Sequence, residues 1–508
     1  MVQRVITRLN TKKENKSQLS IILERSGAAW SRGARTHLLS LFTKAAVKLP
    51  AYKEFLKKNA IKVKNIKTYK DILNVPAVTK MNYLRNFKFE KLFWNGTIAR
   101  NHVLTSTSGS TGKPVYFARS PEVDDNSSLI HELIFRTSSL SLNKSTLVVV
   151  CFGMGVWIGG LITYQAFEKM GRRGYPISVI TPGINQQEIL RILRDLSPNF
   201  DQVVLAGYPP FLKDIIDTAN EQGIMPLKAK TTLLFAAEMF TEKFRDYVGK
   251  KAGVKNVHTD TANIYGSADL GTMAFETPLS ILIRRVAAKN PELFKELFNG
   301  TSKTPTLCQY IPTLTHFDEK DGELYVSGDS AMPLVRYRIG DNGGLYTFAE
   351  MEKQFKKHGL SLKAEAKKEG LGKHLAEMPF VYVYERTDFS TTLYGLQIYP
   401  ETIKETLLTP RFQKYCTGKL TLITKFDTNQ DQYLEVNIEC KSDRTVSDVL
   451  RSELQAEIVR SLRLQNSEFR ELSDFLGERA FPKLVFWNYN DPTYFKSGVK
   501  QSWVKKES

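Results

Sequence analysis

Positions 105–114 of this 508-residue chain read Thr-Ser-Thr-Ser-Gly-Ser-Thr-Gly-Lys-Pro, and these residue types suit the holding of a polyphosphate. Gly109 and Gly112 let the backbone bend so that successive N–H groups can point at one anion. The hydroxyls of Ser108, Ser110 and Thr111 add donors, and Lys113 adds a positive charge. A Walker A loop is excluded, because Pro114 follows Lys113 where that motif needs Ser or Thr, and the glycine spacing differs. A flexible Ser/Thr/Gly linker is the plain alternative. Strand-like stretches on either side, at 101–104 and 115–118, favour phosphate binding.

The charge balance bears on what else could bind. The net charge is +19, with lysines concentrated at 12–16, 57–67, 353–373 and 496–506. Such a surface attracts nucleotides, coenzyme A, an acidic carrier protein, nucleic acid or anionic lipid, although a merely solvated basic face fits equally well. No basic motif interleaved with aromatics and no zinc-finger spacing is present, so nucleic acid is not expected. Cys151, Cys308, Cys416 and Cys440 are far apart, as reduced thiols of a cytoplasmic protein would be. The first residues show no apolar signal-peptide core. The uncharged stretch 145–167 is as long as a membrane span, yet four glycines at 153–160 divide it into a β-branched strand and a buried helix. No membrane span is expected.

The elements that must position the loop follow from periodicity. Residues 1–100 read as mainly helical, with amphipathic stretches at 36–47 and 52–59. From 147 onward strands (147–152, 203–206, 231–235) alternate with helices (158–167, 210–222 and one through Phe244 and Val248), which argues for a parallel sheet covered by helices. Short strands are expected at 323–327, 335–339, 344–348 and 379–384, with a lysine-rich helical insert at 348–377. The remainder has its own signals: strands at 418–426 and 434–440, then a helix at 446–462. The reading is α/β, with a large N-terminal domain (1–385) and a smaller α+β domain (386–508).

With these residues in view, the chain resembles the adenylate-forming (ANL) superfamily, and within it the phenylacetate–CoA ligase branch. The loop is similar to that superfamily's Ser-Gly-Thr-Thr-Gly-Lys-Pro signature. Positions 49–52 (Leu-Pro-Ala-Tyr) and 75–80 (Val-Pro-Ala-Val-Thr-Lys) resemble the branch's N-terminal segments. Residues 153–160 resemble its glycine-rich substrate-side turn, and Ala236-Ala237-Glu238 its adenine-side strand end. Further matches are 264–269 (Ile-Tyr-Gly-Ser-Ala-Asp), 333–341 (ending Arg-Ile-Gly-Asp), 385–388 (Glu-Arg-Thr-Asp) and 393–400.

The resemblance implies an ATP-binding fold with a mobile C-terminal lid that turns a carboxylic acid into its acyl-AMP. By it, Ala237, Glu238, Tyr265 and Gly266 flank the adenine, Asp341 accepts the ribose hydroxyls, and Arg386 contacts the nucleotide. Asp269 holds Mg²⁺ where the family has Glu, and Asp388 is the hinge, preceded by Glu385 where the family has Gly. The family's catalytic lysine falls on Lys500, with Lys496 the second candidate. Phe152, Met154, Val156, Trp157 and Tyr208 are expected to line the acyl pocket. The acyl group would pass to coenzyme A, or alternatively to a carrier-protein thiol or an amine. The departures from the family pattern also admit a non-catalytic nucleotide-binding module.

Overall fold

The computed structural model describes residues 19–100, 102–106, 115–298, 304–386, 390–442, 444–495 and 504. Near the start of this portion, α1 (Gly27–Lys48) and α2 (Pro50–Lys58) meet at Leu49. The proline at the first position of α2 is compatible with helix, because the N–H it lacks would have had no partner there. An antiparallel pair, β1 (Val103–Ser106) and β2 (Tyr116–Arg119), brackets the Ser/Thr/Gly run in sequence, with Ser106 opposite Tyr116. α3 (Pro121–Thr137) follows directly.

β3 (Thr146–Cys151) is buried at every position, as a strand covered on both faces requires. The glycine-rich turn then enters α4 (Ile158–Arg172). β3, β4 (Ile177–Ile180), β5 (Gln202–Gly207), β6 (Lys230–Ala236) and β7 (Thr261–Ser267) lie parallel in the order β4-β3-β5-β6-β7. α5 (Pro209–Glu221) and α6 (Glu242–Lys251) cross between β5, β6 and β7.

The sheet does not remain parallel. β8 (Gly271–Phe275), β9 (Thr306–Gln309), β10 (Thr315–Lys320), β11 (Glu323–Gly328), β12 (Leu334–Tyr346) and β13 (Phe380–Arg386) extend it antiparallel, in the order β8-β9-β13-β12-β11-β10, to eleven strands. The connections from β7 to β8, from β10 to β11 and from β11 to β12 are short enough only for antiparallel neighbours. Asp321 and Gly322, both at positive φ, turn β10 into β11 as an Asp-Gly hairpin. The two strands expected at 335–339 and 344–348 are one strand of 13 residues. Its glycines are there for close packing rather than as a break: a Cβ at Gly343 would overlap the carbonyl of Tyr382 on β13. Phe348 instead opens a helix, α8 (Phe348–Lys357), behind a Thr347/Glu350 capping box, and α7 (Pro278–Ala288) precedes it in the chain.

Beyond Ser390 no described strand joins this sheet. β14 (Thr391–Leu393) and β15 (Leu396–Ile398) form a hairpin, while β16 (Cys416–Phe426), β17 (Gln432–Cys440) and β18 (Lys483–Trp487) make a separate three-stranded sheet. α9 (Pro400–Leu407), α10 (Asp448–Gln465) and α11 (Ser467–Leu476) pack with it. One apolar cluster runs from β3 and β5 through α5 into these elements, and the rings of Phe211 and Phe475 meet there at 5.1 Å. Polar contacts join the same faces: Asp214 of α5 accepts from Arg479 (2.9 Å) and from the Tyr394 hydroxyl (3.2 Å). No helix among the described residues is long and apolar enough to cross a membrane.

Candidate active site

The ends of the parallel strands open onto a cavity of about 620 Å³. Crevices at the carboxyl ends of parallel strands are where α/β sheets bind ligands. β6 ends in Ala236, and Ala237 follows in the left-handed region at φ 75°. A non-glycine residue held there is strained, and such strain concentrates at ligand sites. The Glu238 carbonyl is fixed by Asn263 Nδ2 at 2.9 Å.

β7 brings in the next wall. Tyr265 stacks on Phe317 with ring centroids 6.0 Å apart, and its hydroxyl donates to Asp341 Oδ2 at 2.5 Å. Asp341 comes from β12, across the sheet, and sits in register with Arg386 at the end of β13. Gly266 leaves no room for a side chain: a Cβ would lie 2.8 Å from the carbonyl of Gly271 on β8. The turn between these two strands carries Asp269, a buried carboxylate on the wall of the cavity that Ser106, at the end of β1, also lines.

Asp269 fits a hard divalent cation. No cluster of three or more His, Cys, Asp or Glu able to hold a metal occurs among the described residues. Mg²⁺ keeps several waters and takes one or two carboxylates together with phosphate oxygens, and a single buried carboxylate such as Asp269 is a ligand of that type.

The apolar end of the cavity is formed by Phe152, Trp157 and Tyr208, with the Phe152 and Tyr208 rings edge to face at 5.0 Å. Met154 and Val156 do not line it. Met154 lies against Gly160 and Gly183, and Val156 is 54% exposed with its carbonyl accepting from the Ser106 N–H at 3.0 Å.

Ser108, Gly109, Ser110, Thr111, Gly112, Lys113, Asp388, Lys496 and Lys500 lie outside the described residues. Of Arg386 the backbone is described.

Several lining residues were not assigned to the site from the sequence. Lys80 reaches the cavity because Val78 bridges to Tyr337, which ties the 75–80 segment onto β12. Gln432 and Glu468 come from the C-terminal elements. The Glu238 carboxylate turns toward those elements, accepting from the Gly395 N–H and from Gln432 Nε2 (3.1 Å). Burial, reinforced by the neighbouring Glu471, pushes Glu468 up to about 7.

A search of solved structures aligns 96% of the chain with 91% of a 2-hydroxyisobutyryl-CoA ligase in complex with 2-HIB-AMP and CoA, at TM-score 0.62 and 14% identity. A postadenylation state of the same ligase superposes at TM-score 0.53. This is the adenylate-forming fold. Among curated proteins, the chain is 23% identical over 298 residues to a phenylacetate-coenzyme A ligase of Aromatoleum evansii, which covers 58% of the chain and 61% of the relative. It is 24% identical over 242 residues to the phenylacetate-coenzyme A ligase of Pseudomonas putida, covering 47% and 49%. The chain therefore spans about three fifths or less of these relatives' lengths. No protein-family model matches it. The resemblance to adenylate-forming enzymes of the phenylacetate–CoA ligase kind is borne out.

Proposed function

We propose that the chain is an AMP-forming acid–thiol ligase. It joins a carboxylic acid to the α-phosphate of ATP, releases pyrophosphate, and passes the acyl group to the thiol of coenzyme A with release of AMP. The observation that carries this reading is the Tyr265–Asp341 hydrogen bond in the wall of a cavity that Asp269 and Ser106 also line. An aromatic face, a fixed carboxylate acceptor and a metal-type carboxylate are what a Mg²⁺-bound nucleotide needs for its base, ribose and phosphates.

Adenylation brings two anions together, so the protein contributes positioning and positive charge rather than an acid–base pair. Tyr265 presents its ring to the base, and Asp341 accepts from the ribose hydroxyls. The loop from Ser108 to Lys113 takes the terminal phosphates. Asp269 would hold Mg²⁺, which supplies neutralisation of the phosphate oxygens. Phe152, Trp157 and Tyr208 receive the apolar part of the acid. Lys500, with Lys496 as second candidate, brings an ammonium to the carboxylate and α-phosphate, and the division at 386–388 with Asp388 as hinge lets the C-terminal part withdraw it. The contacts of Glu238 with Gly395 and Gln432 support a cavity closed from that side.

The test is ATP–pyrophosphate exchange across a panel of aryl, fatty and hydroxy acids, with Lys500→Ala and Lys496→Ala beside the wild type. One acid class should support exchange. Removal of the catalytic lysine should lower it by about 10²–10³, the usual loss for one charge-stabilising donor. ATP binding without exchange on any acid would refute the adenylation reading. Exchange undiminished in both variants would refute the lysine assignment.

A further inference from the structure

A second cavity, of about 850 Å³, opens between α1, the segment 93–100, His102, the start of α3 and the loops after β9 and β11. It shares no lining residue with the nucleotide cavity. Its charged groups are unbalanced. Arg25, Arg32, Lys44 and Arg100 face Glu122 and Asp329, four cations against two carboxylates. Asp329 is already engaged, accepting from Lys44 Nζ at 2.8 Å and from Trp94 Nε1 at 3.0 Å. Neither Arg32 nor Arg100 has an ion-pair partner among the described residues. Arg25 sits 4.5 Å from the Trp30 ring and donates to the Ala29 carbonyl, and burial together with the nearby Arg32 lowers its pKa.

Two further features suit an anion, and a third suits an apolar body attached to it. His37 Nε2, both ring nitrogens of His102 and Thr313 Oγ1 are buried with no hydrogen-bond partner among the described residues. Buried polar atoms are ordinarily satisfied, so a group of them lining one cavity marks a place where something binds. The N-terminus of the 17-residue helix α3 opens on the same space, and its N-cap Ser120 makes no capping bond. Helix N-termini favour anions. Phe93 and Trp94 supply an aromatic flank.

We propose that this cavity is a binding site for a small phosphomonoester with an apolar or aromatic body, separate from the catalytic cavity. The excess of two positive charges matches a dianion, the arginine forks match phosphate oxygens, and the aromatic flank takes the body. The site does not depend on the reaction assigned to the other cavity.

The experiment is calorimetric titration of phenyl phosphate into the full chain, with the nucleotide cavity filled by a non-hydrolysable ATP analogue. Phenyl sulfate, a monoanion of the same shape, is titrated in parallel. Saturable binding at one site is expected, weaker for the sulfate and weaker at high salt. Arg32→Ala and Arg100→Ala should each weaken it about tenfold, the loss of one charge-assisted hydrogen bond. Both side chains are exposed, so the fold should survive these changes. Asp329→Asn removes one of the two opposing charges while keeping an acceptor for Trp94, and should tighten binding. An absence of saturable binding in the wild type, equal affinity in the Arg32→Ala/Arg100→Ala double variant, or weaker binding in Asp329→Asn would each overturn the proposal.

Discussion

Removal of the Asp341 carboxylate should weaken nucleotide binding by an amount the geometry bounds. Asp341 Oδ2 already holds the Tyr265 hydroxyl at 2.5 Å, so the carboxylate is fixed before any ribose arrives. In the proposed complex it accepts from the ribose hydroxyls. A hydrogen bond to a charged group contributes about 1.5–3 kcal/mol, so the loss of one to two such bonds corresponds to about 10- to 10⁴-fold in Kd. Asp341→Ala should fall in that range, and Asp341→Asn, which keeps one acceptor oxygen, near its lower end. Tyr265→Phe retains the ring and removes only the positioning hydroxyl, so its effect should be several-fold at most. Because that hydroxyl acts through Asp341, its loss should cost nothing further in the Asp341→Ala background. Calorimetry with a non-hydrolysable ATP analogue and its 2′-deoxy form reads all of this. The wild type should discriminate between the two nucleotides and Asp341→Ala should not. If Asp341→Ala, folded by circular dichroism, bound both as the wild type does, the assignment of Asp341 to the ribose would be wrong.

Three further outcomes follow from other parts of the structure. An added methyl in Gly160→Ala would lie 2.6 Å from the Gly153 carbonyl and push the 153–155 turn away from α4. The KM for the acid in pyrophosphate exchange should rise with ATP affinity unchanged; an unaltered KM would show that the turn does not shape the acyl pocket. Glu276, with no side-chain exposure, accepts from Arg245 at 2.8 Å and from Arg284 at 2.5 Å, so Glu276→Gln leaves buried guanidinium charge uncompensated. Urea unfolding should show a loss of about 3–5 kcal/mol, and a loss below about 1 kcal/mol would contradict the reading of that network. Glu468, pushed up to about 7 from an ordinary 4.5, keeps its proton in the folded state between those values, so stability should fall as pH rises through that window. Glu468→Gln should abolish that fall, matching the wild type near pH 5 and exceeding it near pH 8 in thermal melts. Equal melting temperatures at both pH values would refute it.

How far the sequence could be read depended on the range of each interaction. β3, its glycine turn and α4 were legible from an uncharged stretch whose β-branched part stops at glycines, because strand and helix preference and the turn all act within a few residues. The helix opening at Phe348 was legible at that residue and has a local cause in its Thr347/Glu350 capping box, while the strand before it was read two residues too long. The antiparallel half of the sheet was not legible, since strand direction depends on connection length and on pairing across the fold, as between β12 and β13. The same limit applies inside the site. Tyr265 and Asp341 are 76 positions apart, and only the β7 and β12 strands bring their oxygens together. Glu238 looks in sequence like one more group beside the adenine, but its carboxylate is taken by Gly395 and Gln432, 157 and 194 positions away. Met154 and Val156 belong to a turn whose composition says apolar pocket, and the backbone bond from Ser106 to the Val156 carbonyl is what faces that side chain to solvent. Residue type and spacing therefore indicate which chemistry a segment can do, while the contacts between distant strands decide which side chains are aimed to do it.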